Sequence, residues 1–467
     1  MHFYLEKHFL LFIQKAREGN IAQGEFIMNI CLLNDSFPPM IDGVATAVRN
    51  YAEVITSTEG MNAIVGTPRY PKVDYDCYSY PVVPYLSFNI SRLVEGYRMG
   101  IPFQSKALSR LVGFKPDIIH THCPIMSTAM GRVLRYETDA PIVFTYHTKF
   151  DEDIAKAVKK ERFRKAVAKV LLNNIAACDE VWTVSHGAGE NLKAFGYEGN
   201  YRVVENGVDF PKGGVSEEEA QAVTKGLDVP PDMPVFLFVG RIMKYKGLPL
   251  IIDALKILSK KGYDFRMVFI GGGVDQKEIK KQALQEGICV ESLEEDGSVS
   301  SEGGTQGLPG KIIFTGPIRD RQVLRAWNTR AHLFLFPSTY DTNGIVVREA
   351  AACGLASVLI EGSCAAEDVT DGRNGYLIRE TPEAMAGVLE TVCRNPAHAR
   401  LVGETAMREL YISWDESVKT ALGYYEELIE KKKSGQMTSR KPERSEPAIK
   451  AIALLYEAGR NIRSVSL

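Results

Sequence analysis

The stretch YDTNGIVVREAAA at residues 340–352 decides how the rest of this sequence is interpreted. Directly before it, HLFLFPS at residues 332–338 is an apolar run stopped by proline, which is typical of a buried parallel strand. Gly344 marks a turn, and an apolar, helix-forming run follows it. The pattern predicts a strand, a polar turn and the start of a helix, whose free backbone N–H groups attract anions such as phosphate.

Two carboxylates, Asp341 and Glu349, flank this turn with seven residues between them. One lies before the predicted helix and the other about two turns into it. Side chains placed in this way can bind hydroxyl groups on either side of an anion held at the helix N-terminus. The spacing therefore predicts a site for a sugar linked to a phosphate, with one acid for each sugar.

Length and composition exclude several classes of protein. The chain has 467 residues, which predicts two or three domains. Its 56 basic and 58 acidic residues nearly balance, so nucleic acid is not an expected partner. The eight cysteines occur singly, without a CxxC pair, and no spacing of His, Cys and Asp suggests a bound metal or cofactor. No apolar run is long enough to span a bilayer.

Strand-like runs alternate with helix-sized segments in two series, which predicts two doubly wound parallel sheets. Functional side chains are then expected at the carboxyl ends of the strands. The first series comprises MNICLLND (28–35), NAIVGTP (62–68), DIIHTHCP (117–124), PIVFTYHT (141–148) and EVWTVS (180–185). The second comprises PVFLFVGR (234–241), FRMVFIGGG (265–273), KIIFTGP (311–317), HLFLFPS (332–338) and ASVLIEGS (356–363).

These runs predict α/β domains at residues 28–210 and 211–412, with a turn-rich boundary at residues 205–214. Residues 413–433 are predicted to form a helix, because Ser413 can cap its start and three lysines end it. Residues 1–27 are predicted to be an appended helix and residues 434–467 a polar tail with a last short helix. The acidic, Ser/Gly-rich stretch at 291–310 is predicted to be a flexible loop insertion without a regular element.

Further polar residues follow the predicted strands. Arg241 and Lys246 suit a diphosphate, although a solvated pair of surface cations is the alternative. Gly43, in DGV, can present its N–H to a phosphate or can be an ordinary turn glycine. His147 ends a strand, where a functional and a structural role are both open.

For two other histidines and a serine, the sequence gives weaker grounds for a functional role. His120 and His122 alternate, so they are predicted to point to opposite faces, with only one facing a cleft. Ser185 lies outside any GxSxG elbow, so a hydrolase triad is not predicted.

The chain resembles the retaining glycosyltransferases of family 4 over roughly residues 28–431. The resemblance rests on an ordered series of segments: NDSFPPMIDGVATAV, THCP, FTYHT, VWTVS, ENGVD, VGRIMKYKG, GPIRD and DTNGIVVREAAACG. It implies the GT-B architecture, in which an acceptor-side Rossmann-like domain (28–210) and a nucleotide-sugar-binding Rossmann-like domain (211–412) face a central cleft and a C-terminal helix crosses back. It also implies a nucleotide-sugar donor and no metal.

The resemblance assigns roles to residues of this chain. Arg241 and Lys246 would hold the donor diphosphate, Glu349 the ribose hydroxyls, and Asp341 would lie near the anomeric centre. Asp341, His147, Arg241 and Lys246 are thus the residues predicted to act in catalysis. The remaining implied donor contacts are Gly43 at the diphosphate, His147 at the far hydroxyl of the sugar, Gly316 at the base, and the backbone of Asn343, Gly344, Ile345 and Val346 at the sugar and phosphate.

Two departures from the family bear on the sugar. The family usually has Glu where this chain has Asp341, and Phe-Gly where it has Asn343 and Gly344. Two segments, DGVATAV and FTYHTKF, are most similar to enzymes that glycosylate diacylglycerol.

The predicted function is retaining, metal-independent transfer of a hexose from UDP-glucose or a similar nucleotide sugar to a lipid or cell-envelope acceptor, diacylglycerol being the expected one. The alternatives are a polysaccharide-assembly glycosyltransferase, a UDP-sugar epimerase, and a non-catalytic subunit that binds a nucleotide sugar.

A basic cluster predicts where the protein acts. Its members are Lys156, Lys159, Lys160, Arg162, Arg164, Lys165 and Lys169, with only Glu161 among them. Such a run is typical of a packed helix with a solvated basic face, and it also suits anionic lipid headgroups. The predicted location is cytoplasmic and peripheral at the inner face of the plasma membrane.

Overall fold

A computed structural model describes residues 27–40, 42–91, 97–101, 104–294, 296–303 and 307–437. The predicted N-terminal extension (1–27) lies outside the described residues except for residue 27. The predicted C-terminal tail (434–467) lies outside them except for residues 434–437. Within the described part, the prediction of two doubly wound α/β domains is confirmed, because two parallel sheets follow one another along the chain.

The first domain is built on a sheet of seven parallel strands in the order β3-β2-β1-β6-β7-β8-β9. A separate antiparallel ribbon, β4–β5, lies beside it. The strands are β1 Met28–Leu33, β2 Met61–Pro68, β3 Val82–Tyr85, β4 Ser87–Asn89, β5 Arg98–Gly100, β6 Ile118–Thr121, β7 Ile142–Tyr146, β8 Glu180–Thr183 and β9 Arg202–Val203. The helices are α1 Gly43–Ser57, α2 Ser105–Gly113, α3 Met126–Thr138, α4 Phe150–Ala157, α5 Glu161–Ala176 and α6 His186–Phe195.

The second domain has eight strands in the order β13-β12-β14-β11-β10-β15-β16-β17. Its strands are β10 Val235–Val239, β11 Arg266–Ile270, β12 Cys289–Leu293, β13 Val299–Glu302, β14 Lys311–Gly316, β15 Leu333–Phe336, β16 Ser357–Ile360 and β17 Tyr376–Ile378. Its helices are α7 Glu217–Ala222, α8 Leu248–Lys260, α9 Gln276–Gln285, α10 Arg321–Arg330, α11 Ile345–Ala352, α12 Pro382–Arg394 and α13 Pro396–Glu409, followed by α14 Trp414–Lys433.

The prediction that residues 291–310 contain no regular element is wrong. Part of that stretch forms β13, which pairs antiparallel with β12 and extends the edge of the second sheet. The polar composition suggested a loop. All four residues of β13 are exposed, however, and an exposed edge strand does not require apolar side chains. Its main-chain hydrogen bonds to β12 are enough to order it.

Helix α14 leaves the second domain and packs on the first. Ser413 caps its start in a capping box, and lysines occupy its last turn, where they suit the helix dipole. Its buried face joins the same apolar cluster as β1 and α1. The ring of Tyr425 stacks on that of Trp182 with centroids 5.2 Å apart. The end of the chain therefore contributes to the core of its beginning.

The chain passes between the domains twice, and the two passages lie side by side. The N–H of Val208 donates to the carbonyl of Ile412 at 2.9 Å. Gly207 lies so close to the start of α14 that an added Cβ would be 2.5 Å from the backbone of Trp414. Only glycine fits there without moving the second passage.

Replacement of Gly207 by Ala should destabilise the protein by roughly 1–3 kcal/mol, because an extra methyl group would have to displace backbone. Gly423→Ala, within α14, is the matched control, since an added Cβ there meets nothing within 4 Å. That change should stabilise by about 0.5–1 kcal/mol through helix propensity alone. Denaturant midpoints of both variants test this, and equal midpoints would contradict the close packing.

Candidate active site

The stretch at residues 340–352 folds as its sequence predicts. Strand β15 ends at Phe336, a polar loop follows, and α11 begins at Ile345. Gly344 stands before the helix with φ 64°, a left-handed conformation that glycine adopts without strain. The first N–H groups of α11 lack intrahelical partners and lie at the carboxyl edge of the second sheet.

The start of α1, on the first domain, faces the start of α11. A Cβ added to Gly43 would lie 3.9 Å from the Cδ1 of Ile345. Two helix N-termini from different domains thus approach one another across the cleft. Gly43 and Ile345, which the resemblance placed at one ligand, are close in space, and an anion between them would be favoured by both helix dipoles.

The predicted diphosphate-binding Lys246 is bonded to the predicted sugar-binding Asp341. Its Nζ lies 2.7 and 2.9 Å from the two carboxylate oxygens, and the hydroxyl of Ser338 donates to the same carboxylate at 2.5 Å. Only 12% of the Lys246 side chain and 23% of that of Asp341 are exposed. The sequence did not predict this ion pair, which neutralises both charges when no ligand separates them.

Arg241 is placed differently from Lys246. Its side chain is exposed, and its Nη2 donates to the hydroxyl of Tyr245 at 3.4 Å. Burial raises the pKa of Tyr97 in the first domain, and the charge of Arg241 opposes that rise. Arg241 is thus available to an anionic ligand without first breaking an ion pair among the described residues.

Glu349 is held by a residue that the sequence did not single out. Nη2 of Arg321, the first residue of α10, lies 2.6 Å from its Oε1. Arg321 also pairs with Asp209, between the domains, and stacks over the ring of Phe210 at 4.2 Å. Burial raises the pKa of Glu349, and the guanidinium of Arg321 opposes that rise. Arg321 directly follows the GPIRD segment, but its distance of 28 residues from Glu349 hid the pair.

His147 belongs to a buried group of histidines. Its Nε2 lies 2.9 Å from Nδ1 of His122, whose ring centroid is 4.0 Å from that of His120. The prediction that His120 and His122 point to opposite faces is wrong. Side chains two residues apart along an extended strand lie on the same face, so the spacing itself places the two imidazoles together.

Burial lowers the pKa of these histidines, that of His147 to about 3 and those of His120 and His122 well below their usual range. All three are therefore neutral at pH 7. His120 is also bonded to Tyr425 of α14 at 2.6 Å and to Thr145 at 2.7 Å. The group connects the edge of the cleft to the crossing helix.

The loop that carries Asp341 also fastens the two domains together. The hydroxyl of Thr342 donates to the carbonyl of His147 at 2.5 Å, and that of Ser185 donates to the carbonyl of Thr342 at 2.6 Å. The side-chain amide of Asn343 donates to the carbonyl of Val184 at 2.8 Å. Asn343, a departure from the family pattern, thus has a polar partner that phenylalanine could not bind.

Glycines line the far part of the same edge. Gly316 ends β14 with φ 71°, and an added Cβ there would meet nothing within 4 Å. Its carbonyl accepts the N–H of Gly271, where a Cβ would lie 1.9 Å from the carbonyl of Gly240. The strand ends are therefore packed backbone against backbone, and Gly316 stays open to a planar ligand. Among the described residues, no group of three or more His, Cys, Asp or Glu is placed to hold a metal ion.

Two protein-family models match this chain, one in each domain. The family model described as Glycosyltransferase Family 4 matches residues 41–211, and the one described as Glycosyl transferases group 1 matches residues 233–395. Each model thus covers most of one domain, and the cleft lies between the two matches.

Curated relatives are similar over most of the chain. An alpha-monoglucosyldiacylglycerol synthase of Streptococcus pneumoniae is 23% identical over 378 residues, covering 79% of each chain. A D-inositol 3-phosphate glycosyltransferase of Acidothermus cellulolyticus is 25% identical over 331 residues, covering 68% of each chain.

Among solved structures, Anabaena HepE in complex with UDP has a TM-score of 0.64 at 17% identity, covering 86% of this chain and 100% of that chain. The same protein with UDP and glucose also has a TM-score of 0.64. The fold is GT-B, as the sequence predicts.

Arg241→Ala and Lys246→Ala should each lower catalytic turnover roughly 10²–10³-fold, the usual loss of one charge-stabilising contact. Their effects on the stability of the protein measured without ligand should differ. Lys246→Ala leaves the carboxylate of Asp341 without its cation and should destabilise by roughly 1–3 kcal/mol, whereas Arg241→Ala removes an exposed side chain and should not. Thermal unfolding without ligand, beside turnover, checks both, and near-normal turnover in either variant would refute its assigned role.

Arg321→Gln should weaken binding of the predicted nucleotide-sugar donor roughly 10-fold, the effect of losing about 1.5 kcal/mol of charge-assisted hydrogen bonding. Without Arg321, the rise that burial causes in the pKa of Glu349 is no longer opposed, so the affinity should fall more steeply with falling pH than in the wild type.

Glu349→Gln is the control, because it removes the titrating group. In that background Arg321→Gln should have no added effect, as calorimetric titration of the double-mutant cycle can show. Equal losses in both backgrounds would mean that Arg321 acts without Glu349.

Proposed function

Because the chain belongs to the glycosyltransferases with a family 4 domain and a group 1 domain, we propose that it moves a hexose from a nucleoside diphosphate donor to a lipid acceptor. The donor is UDP-glucose or a close analogue, the anomeric configuration is retained, and no metal takes part. One observation carries the proposal: Lys246, Asp341 and the start of α11 lie together at the carboxyl edge of one domain, opposite Gly43 of the other.

Binding of the donor begins with an exchange of partners. The diphosphate is a stronger partner for Lys246 than the single carboxylate of Asp341, since it brings more negative charge and the N–H groups of α11 bind it too. Asp341, released from the ion pair, then accepts hydrogen bonds from sugar hydroxyls. Glu349, whose charged form Arg321 stabilises, accepts those of the ribose.

Transfer requires stabilisation of the departing nucleoside diphosphate. As the bond between the anomeric carbon and the phosphate oxygen breaks, negative charge grows on the diphosphate, where Arg241, Lys246 and backbone N–H groups stabilise it. The acceptor oxygen forms its bond on the same face of the sugar, and its proton passes to the departing phosphate. His147 is neutral, so it can hydrogen-bond a sugar hydroxyl without adding positive charge.

A lipid acceptor is supported by the relatives and by helix α5. The S. pneumoniae relative is named for a glycosyldiacylglycerol product. In α5, Phe163, Val167 and Val170 are exposed beside basic side chains. Such a face suits contact with an anionic bilayer from one side.

Membrane contact of this kind is peripheral. No helix in the described ranges combines the length and the apolar character needed to cross a bilayer. The relatives named as inositol-phosphate glycosyltransferases suggest a second candidate acceptor class, soluble phosphorylated polyols.

Radiolabelled nucleotide sugars incubated with dispersed diacylglycerol, with inositol phosphate and with no acceptor should decide between these functions. Labelled glycolipid from UDP-glucose is the expected product. Product from the donor alone would instead indicate an epimerase, and labelled inositol phosphate would replace the lipid proposal.

Asp341→Asn should abolish transfer almost completely, because shape is kept while the charge near the anomeric centre is lost. Asp341→Glu should retain transfer or alter the preferred sugar, since it restores the residue usual in the family. Full activity of Asp341→Asn with the preferred donor would remove this carboxylate from the reaction centre.

A further inference from the structure

The ribbon formed by β4 and β5 has an unusual arrangement of side chains. Its strands pair antiparallel, with Phe88 opposite Met99, and the N–H of Ile101 donates to the carbonyl of Leu86 at 2.6 Å. Cross-strand neighbours share a face, so these four apolar side chains lie together. Leu86, Phe88 and Ile101 are 51%, 52% and 45% exposed.

The opposite face of the ribbon carries Ser87, Asn89, Arg98 and Gly100; Asn89 is exposed, and the other three pack against the rest of the domain. Arg98 donates from Nε to the hydroxyl of Ser87 at 2.8 Å, and that hydroxyl donates to the carbonyl of Arg69 at 2.5 Å. A Cβ on Gly100 would lie 2.3 Å from the ring of Tyr85, so the ribbon is packed tightly on this side. A sheet with one wet face normally turns its apolar side to the core. Here the order is reversed, and the apolar face meets solvent.

The apolar face leads into the cleft. Tyr97 lies on it, in register with the other residues of the face, because its carbonyl accepts the N–H of Ile90. The hydroxyl of Tyr97 donates at 3.0 Å to Asp42, which caps α1 just before Gly43. Through Tyr97 and Asp42 the ribbon thus contacts the helix start that faces α11.

Cations flank this surface. Arg69 is exposed beside the ribbon, and Lys106 is exposed in the first turn of α2, which starts just after Gln104 binds the N–H of Leu86. An apolar surface with a cationic rim matches the acyl chains and anionic headgroups of a bilayer.

We propose that this ribbon, residues 86–90 and 97–101, is a docking surface for the acyl chains of the lipid acceptor at the membrane. Leu86, Phe88 and Ile101 enter the bilayer beside the mouth of the cleft, and the acceptor hydroxyl passes along Tyr97 towards Gly43. The lipid therefore need not leave the membrane to react. This inference rests on the proposed function only in taking the acceptor to be a lipid.

A tryptophan in place of Phe88 reports insertion directly. The three tryptophans of the chain, Trp182, Trp327 and Trp414, are buried, so the emission of Phe88→Trp that responds to lipid comes from the ribbon. With vesicles of phosphatidylcholine and diacylglycerol the emission should shift to the blue, and lipids brominated on their acyl chains should quench it. The shift should persist in high salt, unlike the attraction of the basic helix α5, which salt screens.

Kinetics test whether the docking serves transfer. The double variant Leu86→Ser and Phe88→Ser should raise KM for diacylglycerol in vesicles about 10-fold or more, and KM for a short-chain, monomeric diacylglycerol much less. Leu401→Ser, which changes an equally exposed leucine on the second domain, is the matched control and should alter neither value.

Unshifted and unquenched emission of Phe88→Trp on vesicles would overturn the proposal, as would an unchanged KM ratio in the double variant. A concentration-dependent dimer that the double variant abolishes would show that a second copy of the chain covers the ribbon instead. Vesicle binding is read without any transfer, so its failure is distinct from failure of the proposed reaction. If the Phe88→Trp variant inserts into vesicles but the wild type glycosylates no lipid, the docking surface stands and the acceptor assignment falls.

Discussion

The paired passages of the chain between the domains are the constraint on which the rest of this structure depends. Gly207 and Val208 lie against the last residues before α14, with no room for a Cβ between them. The buried face of α14 then fixes that point to the first domain. Both connections thus share one hinge, so the cleft opposite it is the place where the domains can part or close.

Helix α11 contacts the hinge as well as the cleft. Arg348, one residue before Glu349, donates to the carbonyl of Leu410 at 2.9 Å and pairs with Glu205 and Asp368. Arg321 connects Glu349 to Asp209 in the same region. A ligand bound at the start of α11 therefore acts on a helix whose far side holds both passages. The loop with Thr342 and Asn343 completes the connection by bonding to the strand ends of the first domain.

Charge is balanced within the empty cleft. Lys246 pairs with Asp341 and Arg321 with Glu349, which avoids the cost of leaving partly buried charges unpaired. These two ion pairs also determine which chemical groups a ligand needs in order to bind here. A diphosphate can replace Asp341 as the partner of Lys246, and hydroxyl groups can replace Lys246 as the partners of Asp341. A ligand with both kinds of group therefore leaves the fewest charges unpaired when it binds. Arg241 stays exposed as the first cation that such a ligand meets.

The sequence by itself determined the two doubly wound domains, the strand, turn and helix around Gly344, and the crossing helix with its cap. Each of these follows from local patterns of apolar residues, glycines and caps, which act over a few residues. It also indicated Arg241, Lys246, Asp341 and Glu349 as residues of one site, because the first three follow strand ends and Glu349 lies in the helix that starts just after Asp341.

Only the tertiary structure decided how these residues are paired. The bond between Lys246 and Asp341 joins residues 95 apart, and Arg321 meets Glu349 and Asp209 from a third part of the chain. Strand β13 formed because its edge pairing required no apolar side chains. Exposure of the apolar face of the ribbon also depended on which side packs on Tyr85. The physical reason is the same throughout: local sequence sets the elements, but distances between side chains far apart in the chain are set by how those elements pack.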